Sequence, residues 1–161
     1  MKISYQSIGT IFTPFKSVEG MPIQPSGAEG IEGTIEILPE FVEGLKDLDG
    51  FSHVILLYHL HRVTSYSLSV VPFLDKVEHG IFATRAPKRP NAIGLSIVSL
   101  SAVKGNKLFV KNIDVLDGTP LLDIKPYVPD FDQVQATSTG WFEKNVKRAK
   151  TFSSDDRFKD K

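Results

Sequence analysis

The densest concentration of chemistry-bearing side chains lies in residues 80–96, GIFATRAPKRPNAIGLS. Two arginines, a lysine, two prolines and an asparagine fall within residues 85–91. Pro87 and Pro90 fix φ and stiffen the backbone. Arg85 and Arg89 then project planar guanidinium forks that suit a carboxylate or a phosphate. Asn91 offers a donor and an acceptor, and Gly94 permits close backbone approach. A single Pro-Arg turn is normally a rigid loop with solvated charges. This density points instead to a binding loop.

A second group occupies residues 114–127, DVLDGTPLLDIKPY. Asp117 and Thr119 can hydrogen-bond backbone groups of a DGTP turn, and for a bare DGTP turn chemistry is sufficient. Asp114, Asp117 and Asp123 nevertheless place three carboxylates near one strand end beside Lys125. Such carboxylates are suited to proton transfer or to holding a cation. His59 and His61 share a face if both lie on a strand. No cysteine or third ligand accompanies them, so no metal is expected. His53 is expected to satisfy a hydrogen bond in or near the core. Gly27, Gly30 and Gly33 form neither a dinucleotide fingerprint nor a phosphate-binding loop. Pro22 and Pro25 hold Ile23 and Gln24 extended, where amide edges can read a flat polar ligand such as a purine. No G-x-S-x-G elbow exists to anchor a serine hydrolase.

Several strands must position these groups. Residues 3–12 alternate loosely and read as a strand that Pro14 ends. Residues 16–30 form a long loop, of the kind that is often functional. Residues 32–38 alternate as a second strand. Residues 39–48 read as a short helix with Pro39 at its first turn and Phe41, Val42, Leu45 and Leu48 on one face. Residues 51–60 form an apolar, deeply buried strand. Residues 68–74 and 81–84 are shorter strand candidates. Residues 93–103 form a long strand whose apolar phase slips between Ile97 and Val98, suggesting a bulge. Gly105-Asn106 turns the chain into a partner strand over 107–115. Residues 141–150 read as a helix.

The expected architecture is mainly β: a compact antiparallel barrel, closed or nearly so, with a few short helices and a C-terminal helix. The barrel is expected over residues 1–136 and the helix with its charged tail over 137–161. Strands and helices do not alternate, which argues against a doubly wound sheet.

The chain has 161 residues, 41% hydrophobic and 24% charged, so one core is feasible and wholesale disorder is excluded. Nineteen basic residues balance nineteen acidic ones. Any nucleic-acid binding must therefore use a local patch. The absence of cysteine excludes disulfides, thiolate nucleophiles and thiolate-bound zinc. No apolar run reaches membrane-spanning length, and the N-terminus lacks a signal-peptide core. A cytoplasmic location is expected, with no membrane or DNA partner.

Taken together, these segments resemble one family. Residues 80–94 look like the signature of the TsaA-like family, which includes the TrmO tRNA methyltransferases. Asp117-Gly118-Thr119-Pro120 followed by Asp123-Ile124-Lys125-Pro126-Tyr127 is similar to its second signature. Gly50-Phe51-Ser52-His53 and the Pro22 to Pro25 loop match in the expected order. Position 92 is Ala where members often carry Pro.

The resemblance implies a β-barrel that binds S-adenosylmethionine and methylates N6 of a threonylcarbamoyl-modified adenosine beside a tRNA anticodon. It places cofactor contacts on Pro22, Ile23, Gln24, His61, Arg62, Arg85, Leu95, Leu116, Asp117, Gly118 and Thr119. It also implies a homodimer with the cofactor close to the subunit contact. Asp114 and Asp117 are the candidate proton acceptors, and Lys88, Arg89 and Asn91 the candidate substrate contacts. Longer bacterial members carry a C-terminal domain. Here Lys144, Lys147, Arg148 and Lys150, with Lys88 and Arg89, are the candidate local patch for tRNA. The competing readings are methylation of a small-molecule acceptor and a non-catalytic dimeric cofactor-binding protein.

Overall fold

A computed structural model describes residues 1–23, 25–144 and 153. Six strands close into an antiparallel barrel: β1 (Gly9–Phe12), β2 (Glu32–Ile37), β3 (His53–His59), β6 (Ile93–Lys104), β7 (Lys107–Lys111) and β8 (Thr119–Pro126), in the order β1-β2-β7-β6-β3-β8. Between β3 and β6, β4 (Ser69–Val70) and β5 (His79–Gly80) form a separate two-stranded ribbon. Closure leaves no exposed edge on the barrel. Alternate residues of each strand fill the interior, including Ile11, Ile35, Val54, Leu56, Leu108 and Leu121. Each fully buried aliphatic side chain of this kind contributes about 2 kcal/mol.

Antiparallel order has a direct consequence for function. The loops after β1 (13–31), β3 (60–92) and β7 (112–118) all open at the same barrel end. The other end is closed by 3-10 turns, Pro39–Leu45 and Leu48–Gly50. Phe41, Val42, Leu45 and Leu48 pack there against the core. That apolar set is the one the sequence predicts, but the turns are 3-10 rather than α. Asp47 at φ 64° breaks the run in two.

Other expectations need correction. The first strand begins only at Gly9, because residues 1–6 are exposed and lack a core face. The candidates over 68–74 and 81–84 reduce to the β4–β5 ribbon, and Ile81–Ala83 is a 3-10 turn. Val70, Ile81 and Ala86 make their own small cluster instead of joining the barrel.

The β6 bulge lies between Leu100 and Ala102, opposite β7, and not at Ile97. The apparent slip arises because Ser96 takes an inward position while Ile93, Leu95 and Ile97 face outward. Strand β7 stops at Lys111, where Asn112 adopts φ 62°. Residues 119–126 pair as a full strand despite Pro120 and Pro126, with a bulge against Leu57 and Tyr58. A 3-10 turn, Gly140–Lys144, stands where the C-terminal helix was expected; residues 145–150 lie outside the described residues. Trp141 pins this turn by donating Nε1–H to the Ala83 carbonyl at 2.8 Å and stacking on His79 at 4.5 Å.

Candidate active site

All three open-end loops carry residues flagged by sequence. The loop after β3 brings His61, Arg62, Arg85, Lys88, Arg89 and Asn91. The loop after β7 brings Asp114, Leu116, Asp117 and Gly118. The loop after β1 brings Pro22 and Ile23. Gln24 lies outside the described residues.

Asp114 is the centre of the site. Ser96 Oγ donates to Asp114 Oδ1 at 2.6 Å. Tyr58 Oη lies 2.9 Å from Ser96 Oγ. Ser96 has given its only hydrogen to the carboxylate, so Tyr58 is the donor in the second bond. The result is a one-way chain from Tyr58 through Ser96 to Asp114. Burial pushes the Asp114 carboxyl up to about 6, against the opposing pull of Ser96, its own backbone and the Arg85 guanidinium. Burial, reinforced by the Asp114 charge, also raises the Tyr58 phenol, which therefore stays protonated. A carboxylate with a pKa near the working pH is suited to accept a proton.

Asp117, the other nominated acceptor, has a different environment. Its Oδ1 accepts from Thr13 N–H at 2.9 Å and its Oδ2 pairs with Lys16 Nζ at 2.6 Å. The Lys16 bond, then the Thr13 amide, holds this carboxyl below the usual range. It is a fixed anion that ties the β1 and β7 loops together. Its own amide donates to Phe15 O, and Gly118 N–H donates to Ile11 O. Gly118 sits at φ 74°, which permits the turn.

Thr119 Oγ1 donates to Leu116 O at 2.7 Å and lies 3.3 Å from His61 Nδ1. This joins the loop after β3 to the start of β8. Burial first, then Arg62 and His59, pushes the His61 pKa down, so its ring is neutral at pH 7. Strand β3 ends at His59, and His61 lies in the turn beyond it. The two histidines are therefore not strand neighbours on one face.

The remaining residues divide. Leu95 projects outward from β6. Pro22 and Ile23 are half-buried, ahead of the 3-10 turn Pro25–Gly27 that packs beside β6; Pro22 also bridges Ser153. Arg89 Nη1 donates to the carbonyls of Ile81, Thr84 and Ala86 at 2.9–3.3 Å. That guanidinium organises its own loop from within. Lys88 is half-buried and Asn91 is exposed. The Lys144 side chain, Lys147, Arg148 and Lys150 lie outside the described residues.

The tRNA-methyltransferase O N-terminal domain family matches residues 10–133, which include all of the barrel but Gly9. The chain belongs to the TrmO family. A relative from Pyrococcus abyssi, described as a probable S-adenosyl-L-methionine-binding protein, is 53% identical over 98% of this chain and 86% of its own length. A mouse tRNA (adenine(37)-N6)-methyltransferase is 36% identical over 83% of this chain and 32% of its own length. The crystal structure of TrmO from Pseudomonas aeruginosa superposes with a TM-score of 0.73 at 41% identity, covering 88% of this chain and 63% of that one. The chain thus spans less than two thirds of that TrmO structure and about a third of the mouse enzyme.

Sequence reasoning passed over Tyr58, Ser96, Thr13 and Lys16, all of which hold one of the two candidate aspartates directly or through one hydrogen bond. One signal was available for Ser96: a hydroxyl at an inward phase of an otherwise apolar strand.

Proposed function

We propose that this chain is an S-adenosylmethionine-dependent methyltransferase acting on N6 of threonylcarbamoyladenosine at tRNA position 37. The observation that carries this reading is a half-buried, hydrogen-bonded carboxylate, Asp114, within electrostatic reach of Arg85 at a barrel end where three candidate ligand loops converge. TrmO-family membership and the names of the relatives support it.

The donor set fits the cofactor. Arg85 would hold its carboxylate. The Leu116–Thr119 turn and the extended Pro22-Ile23 segment would read its adenine edge with backbone groups. His61, neutral and placed by Thr119, would face its ribose or amino group. When bound, S-adenosylmethionine would supply an electrophilic methyl group, its methyl–sulfur bond breaking to leave neutral S-adenosylhomocysteine. The acceptor N6 is a weak nucleophile because its lone pair is delocalised into the ring. Asp114 takes the N6 proton as the new N–C bond forms. Ser96 and Tyr58 hold the carboxylate in place for that transfer. Asp117 positions the turn and does not take the proton, because both of its oxygens are engaged.

Titration calorimetry with S-adenosylmethionine and S-adenosylhomocysteine tests the cofactor site. Wild-type protein is expected to bind both. Arg85→Ala is expected to bind about 10–100-fold more weakly, the usual worth of a charge-assisted pair. Absence of wild-type binding overturns the methyltransferase reading. Binding without methyl transfer to a modified anticodon stem-loop favours a non-catalytic cofactor-binding protein, and transfer only to small acceptors favours the small-molecule reading.

We also infer a cytoplasmic homodimer. Ile93, Leu95 and Ile97 make an outward apolar strip on β6, 39–55% exposed and beside the candidate cofactor residues. Among the described residues no helix is long and apolar enough to cross a membrane. Light scattering is expected to give a dimer for wild type and a monomer for Ile97→Glu. A monomeric wild type removes the dimer.

A further inference from the structure

The outer face of the barrel carries a second feature at the same end. Phe12 on β1 pairs with Thr34 on β2, and Thr34 pairs with Phe109 on β7. All three residues face outward, because the alternation on their strands buries Ile11, Ile35, Leu108 and Val110. Two phenyl rings therefore stand in one cross-strand row with a small threonine between them. Their backbones are two strand spacings apart, roughly 10 Å. That spacing leaves a slot with two aromatic walls and a threonine floor.

Phe12, Thr34 and Phe109 line a cleft of about 430 Å³ whose rim includes Lys16, Lys111 and Asp117. Gly33 lines the cleft with its backbone, while a Cβ there would turn inward and press on the buried Ile113. Lys104 holds its ammonium 5.7 Å from the Phe109 ring centroid and does not line the cleft.

Aromatic walls with adjacent lysines are the pattern used for unpaired nucleotides: rings stack on bases and ammonium groups follow the backbone. The lysines here are not committed strongly. Lys16 pairs with Asp117 and Lys111 with Glu32, but both lysine side chains are at least half exposed. Each ammonium has three donors, so it can keep its carboxylate and still meet a phosphate from its exposed side. Asp117 belongs both to this cleft and to the turn assigned to the cofactor. The slot and the proposed methylation site therefore share one rim.

We propose that the Phe12–Thr34–Phe109 slot takes one unpaired nucleobase of the RNA substrate, with Lys16 and Lys111 on its flanking phosphates. This rests on the tRNA methyltransferase reading and gives it a substrate contact outside the cofactor loops. The slot lies within residues 10–133 and so requires no additional domain. Acids alternate with lysines on this face, so stacking carries more of the binding than charge, and the salt dependence is shallow.

The test uses the full chain and an anticodon stem-loop RNA with 2-aminopurine in its unpaired loop. Binding is expected to quench the probe. Phe12→Ala and Phe109→Ala are each expected to weaken RNA binding about tenfold and to abolish most of the quenching. Phe109→Tyr is expected to retain both, because it keeps the ring. A fully paired RNA of equal length is expected to bind poorly to all four proteins. S-adenosylhomocysteine affinity and melting temperature are followed in the same samples. Wild-type cofactor binding with no probe quenching, or with quenching unchanged in both alanine variants, overturns the slot and leaves the methyltransferase reading standing. Loss of cofactor affinity in folded alanine variants also overturns it, by giving the slot to the cofactor adenine. RNA binding that Phe12→Ala and Phe109→Ala weaken, with cofactor affinity intact, upholds it.

Discussion

Asp114→Asn is expected to yield a protein that is more stable at neutral pH and almost inactive. Burial disfavours the ionised Asp114 carboxylate, whose pKa rises from 3.8 to about 6. The folded state therefore holds this proton more tightly than the unfolded chain does. Folding stability falls as pH rises from about 4 to 6, and the full penalty persists above 6. That penalty corresponds to about 3 kcal/mol. Asparagine keeps an acceptor for Ser96 and carries no charge, so it escapes the penalty. A gain of this size raises the melting temperature by roughly 6–12 °C for a domain of this length. The gain should vanish below pH 4, where wild-type Asp114 is itself neutral.

Activity moves the other way. Loss of a positioned proton acceptor costs about 100- to 10,000-fold in rate. The wild-type rate is expected to rise with pH through about 6 and then level off, since the base acts in its ionised form. Ser96→Ala removes a bond that favours the ionised carboxylate, so the rising limb should move to higher pH. Melting curves from pH 4 to 8 and single-turnover methylation check both halves. Equal stability at pH 7.5 and an unchanged rate would remove Asp114 from the chemistry and show that burial does not strain it.

Gly94→Ala is expected to destabilise the barrel and to break the same polar chain. Gly94 pairs with Tyr58 across β3 and β6. A Cβ at position 94 would overlap the Tyr58 ring. Tyr58 is buried in the core, and its hydroxyl is committed to Ser96, so the ring has no free space to enter. Overpacking of this kind costs about 3 kcal/mol. The expected fall in melting temperature is roughly 6–12 °C. A Tyr58→Leu change removes the aromatic ring, so the two substitutions should couple strongly. In a double-mutant cycle, Gly94→Ala should cost much less in the Tyr58→Leu background. Additive effects would mean that Gly94 does not exist to admit the ring. The residue that invited a ligand-contact reading thus has a packing reason within the protein.

The contrast between the two aspartates shows where sequence reasoning reaches its limit. Asp114 and Asp117 are three residues apart, and both were nominated for proton transfer. Nothing in their local sequence separates them. Lys16 and Thr13, about a hundred residues earlier in the chain, hold the Asp117 carboxyl below its usual range. Ser96 and the barrel interior make Asp114 a titratable one. Arg89 repeats the lesson: its fork suits a phosphate, yet three carbonyls of its own loop take Nη1.

What residue order determined was local. Alternating apolar positions marked β2 and β6, a nearly continuous apolar run marked β3, and Gly105-Asn106 marked the hairpin into β7, because pleat and turn depend on neighbours two to four residues apart. The signature segments carried the family in the same way, through runs of adjacent residues. Where sequence reading erred, the deciding partner was distant. Ser96 disguised the phase of β6 because its partner lies 18 positions on, and β8 emerged from a Pro-punctuated segment only through pairing with β1 and β3. Closure of the barrel then brought three loops to one end and set Phe12, Thr34 and Phe109 in a single row. Register between strands and burial of a charge are properties of contacts across the fold, so only the tertiary structure could decide which carboxylate titrates and which faces meet.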